Sequence, residues 1–281
     1  MYSPYISEET GIGKLARSYT NLINYNNHYI ENMDKIESER ERIKTELDIS
    51  KRIQQSNLPT EAIENEYYHA YGFSEPAKEV GGDFYDYYEI DDENIAIVIG
   101  DASGKGVPAA LLATTTQTII RDQLYNNKKD PCKVLYFANN HLCRNNSETM
   151  FITLWLGIYN KKTNILNFSN AGHNPPILEE NNNFKLLNID SGVALGILED
   201  YNFITEEIEL PSKIIAYTDG ITDAINKNET MYGEKRLINC LNNNSNEDII
   251  NSILNDVNNF VEDNEQFDDM TILILKNNKY G

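Results

Sequence analysis

Four short acidic segments hold the residues whose types and spacing could do chemistry. They are Val80-Gly81-Gly82-Asp83-Phe84-Tyr85-Asp86, Ile99-Gly100-Asp101-Ala102-Ser103-Gly104-Lys105-Gly106, Tyr217-Thr218-Asp219-Gly220 and Asp268-Asp269-Met270-Thr271. Each lies at the end of a strand-like run or at a turn beside one. A single loop aspartate is more often a turn residue or a helix N-cap than a ligand. Four of them together weaken that reading. Asp101 and Asp219 leave apolar, β-branched runs, where a carboxylate is poorly solvated, and carboxylates gathered without a cation repel one another and raise their pKa values. Mg²⁺ and Mn²⁺ prefer oxygen ligands and relieve that cost. The neighbouring glycines let backbone come close to an ion. The chemistry indicated is that of a hard divalent metal centre.

Competing motifs fail. The segment Gly100–Lys105 resembles a phosphate-binding loop but is one residue short between its glycines, and Gly106 stands where Ser or Thr should follow the lysine. There is no HExxH and no GxSxG nucleophile elbow. His28, His69, His141 and His173 show no metal-ligand spacing. His173, in the turn Asn170–Pro176, reads either as a structural residue holding a sheet edge or as a contact to substrate. With Gly104 and Lys105 it completes the candidate substrate-binding residues.

The elements that must position these groups follow from periodicity. Strands are expected at Phe84–Tyr88, Ile95–Ile99, Phe151–Tyr159, Ile165–Ser169, Phe184–Leu187, Phe203–Leu210, Ile214–Tyr217 and Thr271–Leu275. Helices are expected at Pro108–Leu124, Pro131–Arg144, Glu234–Asn242 and Glu247–Val261, the first two with proline near the first turn. Strands often follow one another directly, which favours hairpins and an α+β layered sandwich over βαβ alternation. Residues 1–30 are polar and rich in Tyr and Asn, with a weak helical signal at Tyr19–Tyr29. From Glu31 to Asn57 the chain is charged and free of Gly and Pro, and Met33, Ile36, Ile43 and Leu47 recur at three-and-four spacing. That stretch reads either as a short coiled-coil seam or as one long solvated helix, and Pro59 stops it. The domain division expected is 1–57, a polar segment and regulatory helix, and 58–281, the catalytic domain.

Composition narrows the partners. The 281 residues carry 44 acidic and 24 basic side chains, a formal net charge of -20. Such a surface repels nucleic acid and anionic membrane, and suits a basic partner or a site that recruits cations. Three cysteines with no CxxC pair argue against a disulfide framework and fit a reducing cytosol. The first residues lack the features of a signal peptide, and no run approaches 18 apolar residues. A cytoplasmic protein with no membrane span is expected.

In this order, the acidic segments resemble the metal-dependent type 2C-like serine/threonine phosphatases, most closely the bacterial RsbU and SpoIIE type. The matching text is IQQSNLP at 53–59, EVGGDFYDYY at 79–88, GDASGKGVPAALLA at 100–113, SNAGHNPP at 169–176, GVALGI at 192–197, YTDGITDA at 217–224 and DDMTILIL at 268–275. The resemblance covers about residues 50–276, and its specificity lies in seven separated motifs agreeing in order and spacing. It implies a four-layer αββα sandwich, two antiparallel sheets flanked by helices. It implies two Mn²⁺ or Mg²⁺ ions, and relatives often hold a third. Carried over, Asp101 would bridge the two ions, with the Ala102 carbonyl on one of them. Asp219 and Asp268 would complete the other, and Asp83 would ligate at the edge or hold metal-bound water. Asp269 is the remaining candidate metal ligand, at a position where the family often has Asn.

The activity implied is hydrolysis of phosphoserine or phosphothreonine on a partner protein by a hydroxide bridging the two cations. Asp101, Asp219 and Asp268 would be the catalytic residues. Bound cations would also invert a field that otherwise repels phosphate. Two departures matter: no His follows Asp101-Ala102, and no phosphate-clamping Arg lies near the first motif. Both are usual in the bacterial subgroup, and modest activity on small phosphate esters follows. The substrate implied is a phosphorylated STAS-type anti-sigma-factor antagonist. An activating partner on the N-terminal helix, or a homodimer through it, would supply the input. The alternative is a catalytically silent pseudo-phosphatase acting as a regulated binding module.

Overall fold

The structure is a computed structural model that describes residues 11–126, 129–244, 248–262 and 264–279. They fall into two compact units that divide after Ser50. The first is most of helix α1 (Gly11–Asn57), whose last turns, from Lys51, belong to the second unit. On α1, Ile12, Leu15, Tyr19, Leu22, Tyr29, Met33, Ile36 and Ile43 are all exposed, at three-and-four spacing. The helix therefore begins well before Glu31. The expected helix at Tyr19–Tyr29 and the charged stretch after it are one element, and residues 1–10 lie outside the described residues.

In the second unit, two antiparallel sheets stack face to face. One comprises β1 (Ile63–Glu64), β2 (Tyr68–Glu75), β7 (Ile177–Glu180), β8 (Asn183–Leu186), β10 (Lys213–Tyr217) and β11 (Met270–Asn277), in the order β1-β2-β11-β10-β7-β8. The other comprises β3 (Asp83–Glu89), β4 (Asn94–Ala102), β5 (Ile152–Asn160), β6 (Ile165–Ala171) and β9 (Glu206–Glu209), in the order β3-β4-β5-β6-β9. Helices α2 (Val107–Tyr125) and α3 (Pro131–Arg144) cover the second sheet; α5 (Gly233–Asn243) and α6 (Ile249–Val261) cover the first. The result is the expected αββα sandwich.

The strand sequences explain the layering. A strand buried on both faces is apolar throughout rather than alternating. In β4, Ile95, Ile97 and Ile99 point into the layer between the sheets with Trp155, Phe168, Leu273 and Leu275, while Ala96 and Val98 point at α2 and α3. In β11, Leu273 and Leu275 face inward and Ile272 and Ile274 face α5 and α6. On α6, Ile249, Ile253 and Val257 recur every four residues and form the stripe that seals that face.

Differences from the sequence reading have local causes. Strand β9 spans only Glu206–Glu209 of the expected Phe203–Leu210, because Phe203 turns into the core beneath α3 and Thr205 caps the loop at Asp130 with a 2.6 Å hydrogen bond. Strands β2 and β7 were not expected. Gly72 interrupts the apolar pattern of β2, where the Tyr85 ring packs against the backbone, and β7 has only four residues.

Candidate metal centre

Strand pairing gathers the acidic segments at one end of the sandwich. Asp83 opens β3 directly across from Asp101 near the end of β4, and Asp101 lies across from Thr153 on β5. On the other sheet, Tyr217 ends β10 opposite Ile272 of β11, so Thr218-Asp219 and Asp268-Asp269 flank the same sheet edge. Asp219 starts α4 (Asp219–Thr222), a single helical turn.

Two glycines permit the close approaches this requires. A Cβ on Gly220 would lie 1.9 Å from the Asp269 carbonyl oxygen, so only glycine lets the Asp219 turn press against the strand entry carrying Asp268. A Cβ on Gly82 would lie 2.8 Å from the Ala102 carbonyl oxygen. Ala102 itself is buried, and its N–H donates to the Gly82 carbonyl at 3.1 Å.

The electrostatics are those of crowded anions. Asp83 is 5% exposed, and burial, then the charges of Asp101 and Asp269, push its carboxyl well above the ordinary range. The Thr218 hydroxyl, donating to Asp83 Oδ2 at 2.7 Å, opposes the shift. Asp101 is raised by burial, then by Asp219 and Asp268. Asp219 is raised by burial, then by Asp223 and Asp268, with Lys105 opposing. The Lys105 ammonium lies 2.9 Å from Asp268 Oδ2, donates to the Phe267 carbonyl at 2.6 Å and sits 4.4 Å above the Phe267 ring centre. It ties the turn after Asp101 to the segment before β11.

Asp268 and Asp269 part company despite being neighbours. Asp269 Oδ1 accepts from the Ala77 N–H at 2.7 Å, and its Oδ2 accepts from the Gly82 and Asp83 N–H groups at 2.6 and 3.4 Å. Its carboxylate anchors the loop leading into Asp83. Gly104 is exposed in the turn after Asp101. His173 is buried between the sheets, 2.9 Å from the Thr153 hydroxyl, with its N–H on Asn170 Oδ1 at 3.2 Å. Burial lowers its pKa to about 4. This placement fits the structural reading of its turn rather than a surface that meets substrate.

Two positioning residues, Thr218 and Gln54, lie inside the matching motifs and are not among the residues that sequence pattern marks as ligands. Thr218 is fully buried; besides donating to Asp83, its hydroxyl accepts from the Thr271 N–H at 2.9 Å. Gln54, in the last turns of α1, brackets Gly81: its Nε2 donates to the Gly81 carbonyl at 2.6 Å and its Oε1 accepts the Gly81 N–H at 3.2 Å. The sequence signals for them are slight: a hydroxyl residue immediately before Asp219 and a glutamine in IQQSNLP.

The donor chemistry fits a hard divalent cation. Asp83, Asp101, Asp219 and Asp268 offer only carboxylate oxygens, and neighbouring carboxylates raise the first three, a cost a cation would relieve. Among the described residues no three side chains form a ready-made chelating group.

The sequence matches the family described as stage II sporulation protein E (SpoIIE) over residues 91–278. It is 30% identical over 192 residues to the phosphoserine phosphatase RsbU of Bacillus subtilis (strain 168), covering 67% of this chain and 57% of RsbU. It is 28% identical over 263 residues to protein IcfG of Synechocystis sp., covering 83% of this chain and 42% of IcfG. The chain thus spans about half the length of the curated relatives it matches. Among solved structures, the SiaA-PP2C domain of Pseudomonas aeruginosa superposes with a TM-score of 0.73 at 21% identity, over 85% of this chain and 98% of that one. The PP2C phosphatase domain of SpoIIE from Bacillus subtilis, with a fragment of its regulatory domain, gives 0.64 at 18% identity, over 76% and 65%. At these identities the likeness concerns the fold.

Proposed function

The chain belongs to the SpoIIE family, and on that premise we propose that it is a metal-dependent protein phosphatase acting on phosphoserine or phosphothreonine of a partner protein. One observation carries the reading: the pairing of β3 with β4 and of β10 with β11, the Thr218–Asp83 hydrogen bond and the Lys105–Asp268 ion pair bring Asp83, Asp101, Asp219 and Asp268, far apart in sequence, to one end of the sandwich. Asp101, Asp219 and Asp268 would hold two Mn²⁺ or Mg²⁺ ions, with Asp83 and the Ala102 carbonyl at the edge. Such ions would lower the pKa of a bound water and neutralise charge on phosphoryl oxygens.

The chain's own residues do the rest. Thr218 and the Asp101 partner hold Asp83 in place. Asp269 fixes the loop that presents Asp83. Lys105 supplies the positive charge beside Asp268 and sits at the mouth of the site, half-exposed, where a phosphate group would arrive.

We propose residues 58–281 as the catalytic part and 1–57 as the input segment, in a cytoplasmic protein. Among the described residues no helix is long and apolar enough to cross a membrane. The exposed apolar stripe on α1 supports pairing with an activating partner or a second copy, and Gln54 is where α1 meets the Asp83 loop. A phosphorylated STAS-type protein is the substrate we propose, by analogy with the regulatory phosphatases the chain resembles. The test is phosphate release from such a protein with and without Mn²⁺, beside Asp219→Asn. Metal-dependent release abolished by the substitution supports the reading; no release and no Mn²⁺ binding refutes it.

A further inference from the structure

A cleft of about 200 Å³ opens beside the acidic cluster, between α4, α6 and the segment that enters β11. Its lining is mixed: Ala224, Val257, Val261 and Met270 give it an apolar strip, beside the amides of Asn258, Asn264 and Gln266. Its rim is acidic, with Glu75, Glu262 and Glu265. Glu262 has a counter-ion, Lys227, at 2.8 Å; Glu75 and Glu265 are exposed.

The cleft is joined covalently and by hydrogen bonds to the candidate metal centre. Gly220, which follows Asp219, and Phe267, which precedes Asp268, both line it. The Gln266 amide donates to the Asp268 carbonyl at 2.8 Å and to the Glu75 carbonyl at 3.0 Å, and the Asn264 amide donates to the Ile225 carbonyl at 3.0 Å. These bonds fix the cleft wall relative to Asp268.

An apolar strip flanked by carboxylates and side-chain amides suits a side chain with a hydrocarbon stem and a cationic head. Lys and Arg lay a hydrocarbon stem on apolar surface and keep a charged head at its edge. We propose that this cleft is a subsite for a lysine or arginine flanking the phosphorylated residue of the substrate; the proposal rests on the phosphatase reading above. It gives a chain of net charge -20 a local means of selecting substrate.

The test uses the full chain with Mn²⁺ and phosphoserine heptapeptides carrying Lys, Ala or Glu in turn at each position flanking the phosphoserine, with p-nitrophenyl phosphate alongside. At one flanking position the Lys peptide should show a KM about fivefold below that of the Glu peptide, with kcat little changed, as expected of a partly exposed ion pair on an apolar seat. The preference should shrink at high salt. It should be lost in Glu75→Gln/Glu265→Gln and retained in Glu75→Asp/Glu265→Asp. Equal KM values across the peptides, or a preference unchanged in the glutamine variant, overturn the subsite. Turnover of p-nitrophenyl phosphate but of no peptide overturns the subsite alone. Turnover of neither substrate overturns the subsite, and where Mn²⁺ binding is absent as well it overturns the phosphatase reading with it.

Discussion

Gly220→Ala isolates the close approach that brings Asp219 to Asp268. The new methyl carbon would start 1.9 Å from the Asp269 carbonyl oxygen, 2.8 Å from its carbonyl carbon and 3.2 Å from the Asp268 carbonyl carbon. All three are backbone atoms, so no side chain can swing aside. Real Cβ contacts essentially never fall below 3.0 Å, so the two segments must separate by at least about 1.1 Å. Overpacking of this kind costs about 1–3 kcal/mol, and alanine returns up to about 1 kcal/mol of helix propensity within α4. The folded protein should therefore survive, with its stability in urea denaturation lowered by no more than about 2 kcal/mol. Function should suffer far more. A misplacement of about 1 Å among catalytic groups costs about a hundredfold in rate, near 2.7 kcal/mol of barrier. The assay pairs urea denaturation with Mn²⁺ titration calorimetry and phosphate release on the same preparation. Weakened Mn²⁺ binding and at least a hundredfold loss of turnover in a folded variant are expected. Parent-like metal affinity and turnover in Gly220→Ala would refute the claim that this contact sets the spacing of the two carboxylates.

Other perturbations separate the parts of the site. Thr218→Val should cost about 1–3 kcal/mol in urea denaturation, because it removes the hydroxyl donor to Asp83 and leaves the buried Thr271 N–H without its acceptor; Thr218→Ser should recover most of that. His173 stays neutral in the fold down to about pH 4, whereas in the unfolded chain it takes up a proton near pH 6.5. Its burial therefore costs nothing above pH 6.5 and destabilises progressively as pH falls from there to about 4, by about 3 kcal/mol in all. The raised carboxyls of Asp83 and Asp101 shift stability in the opposite sense, so the parent-minus-His173→Gln difference, followed by denaturation from pH 7 to 4, is the quantity to read; a pH-independent difference would contradict the assignment. Arg121 reaches the buried Asp86 at 2.5 Å from a half-exposed position on α2, so Arg121→Met should cost about 2 kcal/mol and adding Asp86→Asn should restore part of it. Mn²⁺ at about 100 times its Kd should stabilise the parent by about 2.7 kcal/mol in the same assay, with the gain largely lost in Asp219→Asn.

Much of this molecule was written locally. The double-faced apolar run Ile95–Ile99, the proline-started helices α2 and α3, and the four-residue stripe of α6 are period and propensity signals that act over a few residues, and the chain folds as they indicate. The order of the acidic segments, each at a strand end, was equally legible, as was the resemblance they carry. Signals failed where the local pattern was weak. Gly72 interrupts β2, β7 is four residues long, and the Tyr- and Asn-rich stretch Tyr19–Tyr29 of α1 is poor in strong helix formers even though its apolar positions continue the stripe.

What sequence could not supply was which neighbours meet. Strand β2 pairs with β11 across about two hundred residues, and that pairing sets the loop of Asp83 against Asp269. Adjacent, identical residues then take different surroundings: Asp268 faces Lys105, while Asp269 satisfies three backbone N–H groups. His173, polar and in a turn, lies buried behind Thr153. Side-chain type and spacing are properties of the chain. Burial, hydrogen-bond partners and the charge a carboxylate feels are properties of the packed sheets, because each depends on atoms brought near from distant sequence.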